Sequence, residues 1–333
     1  MLRIHFTDAD LAQVQLAPRP DPLWEIYFSL HRLQSRRSLG PYEAWHRTTR
    51  KDLTEKGLAS TVREVLLPLY PRGSYIPDFL TPGAAVEGLD AGLDAILAAP
   101  RGLVQREVGI LGGVSSVPSW TRRLADPQNR RVFVEKVRTY YGVALRPHSD
   151  VMQAHHDADR SLRARTLLDN GIDGLLTGLG PHVRWRRPVL EVDYPIDRDL
   201  HLRSRGITLL PSYFCRGAPV ALADPDLPPV LTYPVHRPAP DDGRSATPSR
   251  PAPLSALIGA TRAAMLRATT TGATTGELAR AAGVSAASAT RHTTVLRNSG
   301  LLVSKRHGPV VLHTLTPTGT ALLHAGGHHP PST

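Results

Sequence analysis

At 333 residues the chain is longer than one compact domain usually needs, so two domains are expected. Its formal net charge is +11 and 41% of its residues are hydrophobic, which fits a globular protein with buried cores and a polyanionic partner. No run of about 18 apolar residues occurs, which argues against a membrane span, and the single cysteine, Cys215, excludes an internal disulfide framework.

The first residues, Met1-Leu-Arg-Ile-His-Phe-Thr-Asp, lack the apolar core of a signal peptide, so the expected compartment is the cytoplasm. Leu2 to Thr7 alternates as a strand does, and Asp8 to Leu16 either continues it or turns. Leu23, Trp24, Ile26, Tyr27 and Leu30 give residues 22–33 an apolar helical face. Further helices are expected over residues 61–69, 84–98, 129–143 and 148–168. The period then shortens. Val183-Arg-Trp, Val189 to Tyr194, His201-Leu-Arg, Ile207 to Leu210, Tyr213-Phe-Cys and Pro229 to Val235 read as strands between Pro, Gly and Asp turns. Residues 1–235 are therefore expected to form an α+β domain, mostly helical, with a small and mostly antiparallel sheet.

Three groups in this region invite a chemical reading. His148, His155, His156, Asp157 and Asp159 cluster on a predicted helix, where His148, His155 and Asp159 could share a face and ligate a metal. A polar, solvated helix face explains them with less, and no metal site is expected. Gly109-Ile-Leu-Gly-Gly-Val has the look of a phosphate loop but no lysine and no preceding strand, so a plain turn is the simpler reading. Asp193, Asp197, Arg198, Asp199 and His201 form a polar run that could hold a ligand, although acid-rich loops are usually solvated. No nucleophile elbow, zinc-protease motif or dinucleotide fingerprint is present, so neither an enzyme nor a cofactor is expected.

Residues 236–252, rich in proline, serine and charge, read as a tether. Residues 253–323 then carry a helix with Leu254, Leu257, Ile258, Met265 and Leu266 on one face. Next come a capping box at Thr274-x-x-Glu277 and a short helix that buries Leu278 and Ala282. A turn at Gly283 follows, with Val284 as its apolar plug. Ser285 caps a third helix, with Ala289, Thr293 and Leu296 inward, that ends at Gly300. Two strands over residues 303–314 have a basic tip. This order predicts a winged helix-turn-helix. Residues 324–333 read as a frayed tail.

On the third helix Ala287, Thr290, Arg291 and Thr294 lie opposite the core stripe. Small residues at Ala286, Ala287 and Ser288 permit close approach of the helix N-terminus to a phosphate. Thr290 can meet a base or a thymine methyl, Arg291 suits a guanine edge, and Arg297 suits a phosphate. Lys305, Arg306 and His307 stand at the hairpin tip. Residues 253–333 hold seven basic residues (Arg262, Arg267, Arg280, Arg291, Arg297, Lys305 and Arg306) against one acid, Glu277. That is +6 of the +11, in about a quarter of the chain. Because all basic residues but Lys51, Lys56, Lys136 and Lys305 are arginine, part of the excess reflects a GC-rich genome, and the clustering counts for more than the total.

Gly283-Val-Ser-Ala-Ala-Ser-Ala-Thr-Arg-His-Thr-Thr-Val-Leu-Arg-Asn-Ser-Gly-Leu-Leu resembles the recognition segment of ArsR-type winged-helix regulators. The whole chain is similar to an actinobacterial group of such regulators with a long N-terminal region of no assigned function. That wider likeness rests on Phe6-Thr-Asp-Ala-Asp-Leu, Pro22-Leu-Trp-Glu and Pro228-Pro-Val-Leu-Thr-Tyr-Pro-Val. The resemblance implies DNA-reading residues at Ser285, Ala286, Ser288, Thr290, Arg291 and Thr294. It places a family histidine at His292 and the wing at Lys305 to His307. The paired cysteines of metal-sensing members are absent, so soft-metal sensing by that route is not expected. The resulting expectation is a homodimeric, sequence-specific DNA-binding regulator, a repressor by resemblance, that reads a palindromic operator. The alternatives are a regulator switched by a small-molecule effector in residues 1–235, an enzyme-like N-terminal domain with a DNA-binding appendage, and a protein-docking module.

Overall fold

The computed structural model describes residues 1–35, 40–72, 75–222, 224, 226–235, 253–269, 272–307 and 310–327, with the side chains of Pro253, His307 and residues 324–327 outside the description. The expected tether, residues 236–252, also lies outside it, as do Gly308 and Pro309 at the hairpin tip. The chain is mixed α/β with small sheets, and it divides into two compact units. Unit 1 comprises residues 1–149 and 163–235. Unit 2 comprises residues 150–162 and 236–333.

Unit 1 opens with β1 (Leu2–His5), the one-turn α1 (Asp8–Leu11) and β2 (Val14–Leu16). Helices follow: α2 (Pro22–Leu33), α3 (Glu43–Glu55), α4 (Ala59–Thr61) running into a π turn at Val62–Leu66, α5 (Leu89–Ala98), α6 (Arg101–Val114) and α7 (Pro127–Ala144). Then come α8 (Ser149–Thr177), of which residues 150–162 belong to unit 2, and β3 (Val183–Arg186), β4 (Val189–Val192), β5 (Arg198–His201), β6 (Ile207–Ser212), β7 (Val220–Ala221) and β8 (Val230–Pro234). Helix α8 is interrupted at Gly171, whose φ of 66° is a conformation that glycine adopts without a Cβ penalty.

The single antiparallel sheet expected here is replaced by two mixed four-stranded sheets, ordered β3-β4-β1-β5 and β2-β6-β8-β7. Strands β1 and β5, β2 and β6, and β6 and β8 run parallel. The cause is long-range pairing. The two N-terminal strands insert beside strands almost 200 residues later, and such crossovers leave no hairpin signal. Leu2, Ile4, Leu190, Leu209, Leu231 and Tyr233 belong to the core these sheets share.

Helix α2 is anchored by buried carboxylates. Asp21 accepts hydrogen bonds from Leu23 N (2.9 Å) and Trp24 N (3.1 Å) and caps the helix ahead of Pro22. Glu25 accepts from Ser212 Oγ (3.0 Å), Tyr213 N (2.7 Å) and Phe214 N (3.0 Å). Those donors are thus taken by a side chain, which is why Tyr213–Cys215 turns away instead of forming the expected strand. Burial raises Asp21 and Glu25 to about 7. A second correction concerns Gly109 to Val114. These residues are the end of α6 and not a turn. Tertiary packing of Val104, Val108 and Leu111 overrides their weak helix propensity.

Unit 2 contains α9 (Pro253–Ile258), α10 (Ala260–Ala268), β9 (Ala273–Thr274), α11 (Thr275–Ala281), α12 (Ala286–Asn298), β10 (Leu302–His307), β11 (Val310–Leu315) and α13 (Pro317–Gly327). The first helix expected here is split at Gly259, whose φ is 84°, so Leu257 is 70% exposed and not part of the core face. Residues 324–327, expected as part of the tail, are helical. Leu322 and Leu323 pack on the core and carry α13 to Gly327, and residues 328–333 lie outside the description. Leu266, Leu278 and Leu296 are almost fully buried, each stabilising the unit by roughly 1.5–3 kcal/mol. Strands pair in the order β10-β11-β9, with β10 and β11 a six-residue antiparallel hairpin from Leu302↔Leu315 to His307↔Val310.

Candidate nucleic-acid interface

Each end of the helix pair in unit 2 is held by a local device. Thr274 Oγ1 accepts from Glu277 N (3.3 Å), and Glu277 Oε2 accepts from Thr274 N (2.9 Å), a complete capping box for α11. Gly283, at φ 64°, turns the chain, and Val284 N closes the turn onto Ala279 O (2.9 Å) while its side chain packs on the core. Ser285 Oγ accepts from Ser288 N (3.2 Å) and caps α12. Ala289, Thr293 and Leu296 face inward. Gly300, at φ 70°, ends the helix, and Leu301 N bonds Leu296 O (2.9 Å).

The hairpin is tied to α11 by one histidine. His313, on β11 and 4% exposed, places Nε2 2.9 Å from Thr275 Oγ1 and Nδ1 2.8 Å from Ser304 Oγ. Burial, with a smaller contribution from Arg297, depresses its pKa and favours the neutral ring. This bridge has no sequence motif, because its partners lie 38 and 9 residues away.

The candidate contact residues fall into three groups. Ser285, Ala286, Ala287, Thr290, Arg291 and Arg297 on the helix, and Lys305 and Arg306 on β10, are exposed. Ser288, His292 and Thr294 are only half-exposed, because the helix turns them toward the flanks of the core. The side chain of His307 lies outside the described residues. Thr290 and Thr294 are also less available as donors than expected. Thr290 Oγ1 donates to Ala286 O (3.0 Å) and Thr294 Oγ1 to Thr290 O (2.9 Å). Their outward chemistry is that of an acceptor and a methyl group. The helical repeat that sets Ala287, Arg291 and Thr294 in one ridge adds Asn298, which is exposed and is not among the candidate residues of the sequence.

Charge on residues 253–323 is one-sided. Arg280, Arg291, Arg297 and Lys305 are exposed and enter no ion pair among the described residues. Glu277, the one acid of residues 253–333, is spent on the fold. Besides its capping bonds, its Oε1 and Oε2 accept from His155 Nε2 at 3.1 and 3.2 Å. Residues 150–162 of α8 belong to this unit, with Ala154 and Ala158 packed on Leu312. The cluster expected there as a solvated face is therefore buried: His155, His156 and Asp159 are at most 4% exposed. His155 serves Glu277, and no set of side chains among the described residues could hold a metal. His156 is depressed to about 4 by burial, and neither ring nitrogen has a hydrogen-bond partner among the described residues.

The polar run of unit 1 is a paired sheet surface. Asp199 lies 2.7 Å from His5 Nε2 and 3.6 Å from Arg3, and the His5 bond lowers its pKa first of all. Arg198 to His201 form β5 and not a loop, and Asp193 meets His182 at 3.2 Å. No helix among the described residues is long and apolar enough to cross a membrane. Comparison with family models, curated proteins and solved structures returns no match for this chain.

Proposed function

We propose that residues 253–323 form a winged helix-turn-helix that binds double-stranded DNA, with α12 entering the major groove and β10 and β11 as the wing. The observation that carries this reading is the outward ridge Ala287–Arg291–Thr294–Asn298, with an unpaired arginine at its centre, in a segment whose one carboxylate is engaged. A small-residue helix start allows backbone approach to phosphate. Arg291 then reaches a guanine edge, and Arg297, Lys305 and Arg306 neutralise phosphates. On the likeness of Gly283–Leu302 to ArsR-type regulators, the protein acts in the cytoplasm as a homodimeric repressor of a palindromic operator and catalyses no reaction. Two copies of α12 about one helical turn of DNA apart would read the two half-sites.

The test is a fluorescence-anisotropy titration onto the DNA upstream of the protein's own gene, against scrambled DNA, at several salt concentrations. Wild type is expected to prefer its own DNA by about a hundredfold or more, and Arg291→Ala to remove most of that preference. Equal binding to both DNAs that disappears with salt would reduce the interface to non-specific charge.

A further inference from the structure

Unit 1 contains a cavity of about 430 Å³, in the lower part of the roughly 300–1,000 Å³ range of small-molecule sites. Three tyrosines, Tyr27 on α2, Tyr75, and Tyr194 after β4, line it together with Arg198 of β5. One wall comes from Ile110 and Val114, an i, i+4 pair on α6 inside the Gly109–Val114 motif.

Two observations separate this cavity from ordinary packing. First, Tyr27 is 5% exposed, and its hydroxyl has no hydrogen-bond partner among the described residues. The hydroxyls of Tyr75 and Tyr194 have none either. None of the three is among the fully buried side-chain atoms without a partner, so each hydroxyl stays open to an acceptor. Elsewhere in the unit Tyr42 and Tyr140 are bonded to Tyr213 O (2.6 Å) and Ser29 Oγ (2.9 Å), while the fully buried Tyr70 hydroxyl has no partner among the described residues and does not line this cavity, so it is the gathering of three open hydroxyls in one space that marks this site. Second, Ile110 is 45% and Val114 53% exposed at the same cavity. Large aliphatic side chains are left in water at the rim of the space, where an apolar ligand would cover them.

We infer that this cavity is a binding site for a small, largely apolar ring compound carrying hydrogen-bond acceptor oxygens, such as carbonyl, phenolic or sulfonate groups. The rings would cover Ile110 and Val114, and the phenol hydroxyls would donate to the oxygens. Burial raises the pKa of all three phenols, which keeps them as O–H donors. Arg198, whose Nη1 donates to Leu222 O (2.9 Å), adds a further polar group to the lining. The inference does not rest on DNA binding.

The probe is anilinonaphthalene sulfonate, a fused-ring compound with an acceptor anion, titrated by fluorescence into the full-length protein without DNA. Saturation at one dye per chain is expected. Val114→Trp, at an exposed position, should abolish binding by filling the mouth. Tyr194→Phe, which removes one hydroxyl, should weaken it about fivefold. Leu168→Gln, at an exposed apolar residue away from the cavity, should leave it unchanged. Non-saturating binding overturns the inference. So does saturable binding that ignores both Val114→Trp and Tyr194→Phe, or that is lost in Leu168→Gln. The DNA titration is scored separately, so each can fail without the other.

Discussion

Unit 1 buries acids, and residues 253–323 of unit 2 expose bases. In unit 1 Asp21, Glu25 and Glu107 are at most 5% exposed and are turned inward onto backbone N–H groups, Glu107 onto Phe79 N at 2.9 Å. In unit 2 the one carboxylate after residue 236 besides Asp241 and Asp242 is consumed by its own helix cap and by His155, whereas Arg280, Arg291 and Arg297 are exposed and enter no ion pair among the described residues. The difference assigns different work to charge. The buried carboxylates cap a helix, as Asp21 does, or tie distant chain segments together, as Glu25 and Glu107 do, so they belong to stability, whereas exposed cations without an ion pair suit recognition of a partner. The comparison can be broken at specific residues.

The largest effect is expected from Glu25→Ala. It would strand Ser212 Oγ, Tyr213 N and Phe214 N in a dry site and separate α2 from the end of β6. A loss on the order of 4 kcal/mol follows from leaving several buried donors unmade. Urea denaturation read by tryptophan fluorescence measures it, since Trp24 and Trp45 are buried in unit 1. Glu25→Gln should recover part of the loss, because one amide oxygen still accepts. A loss under about 1 kcal/mol, the scale of a single ordinary hydrogen bond, would show that Glu25 is not a tie.

A pH series should move the two units in opposite directions. Asp21, Glu25 and Glu107 all rise to about 7, mainly through burial. Below their ordinary values, 3.8 for Asp and 4.5 for Glu, folded and unfolded chains both hold the proton. Above those values the unfolded chain releases it while the fold retains it, so stability falls as pH climbs toward 7. His31 and His148 of unit 1 are depressed and pull the other way, two groups against three. In unit 2 the shifted groups are His156 and His313, both depressed from 6.5. Below pH 6.5 the unfolded chain takes up protons that the fold refuses, so unit 2 loses stability as pH falls toward 4. Hydrogen exchange from pH 5 to 8, corrected for intrinsic rates, should show α2 losing protection and α12 gaining it. Parallel changes in both helices would remove the contrast.

Legibility differed between the units for a physical reason. Thr274, Glu277, Gly283, Ser285 and Gly300 are readable because each acts on backbone within five residues, and their patterns are short. The apolar stripe Ala289–Thr293–Leu296 is readable from its period. The bond from His155 to Glu277 spans 122 residues and that from Glu25 to Phe214 spans 189, and nothing near either residue announces the partner. The same holds for β1 and β2, whose parallel neighbours come late in the chain. Even within unit 2, Gly259 read as one more small residue in a helix, although its left-handed conformation splits that helix. The cavity in unit 1 was illegible because its tyrosines come from three separate segments.

Arg291→Ala separates the units by partner binding. A bidentate base contact contributes roughly 1–3 kcal/mol, so affinity for the specific DNA should fall about thirtyfold, that is by about 2 kcal/mol. Scrambled DNA should lose far less, and the stability of either unit should not change, because the side chain is exposed and unpaired. A uniform loss on both DNAs would move Arg291 from base reading to phosphate contact.

The smallest effect concerns Ser285, where stability and recognition meet in one hydroxyl. Its Oγ caps α12 through Ser288 N and is exposed at the helix start. Ser285→Ala should cost about 1 kcal/mol of unit 2 stability, whereas Ser285→Gly should cost only about a few tenths, because glycine leaves the helix end open to water. If the hydroxyl only caps, DNA affinity should follow stability, and the glycine variant should bind almost as wild type does. A direct DNA contact predicts another order: both variants weaken binding equally, although only alanine disturbs the fold. Thermal melts and anisotropy titrations on the same two variants therefore distinguish a helix cap from a DNA contact at one atom.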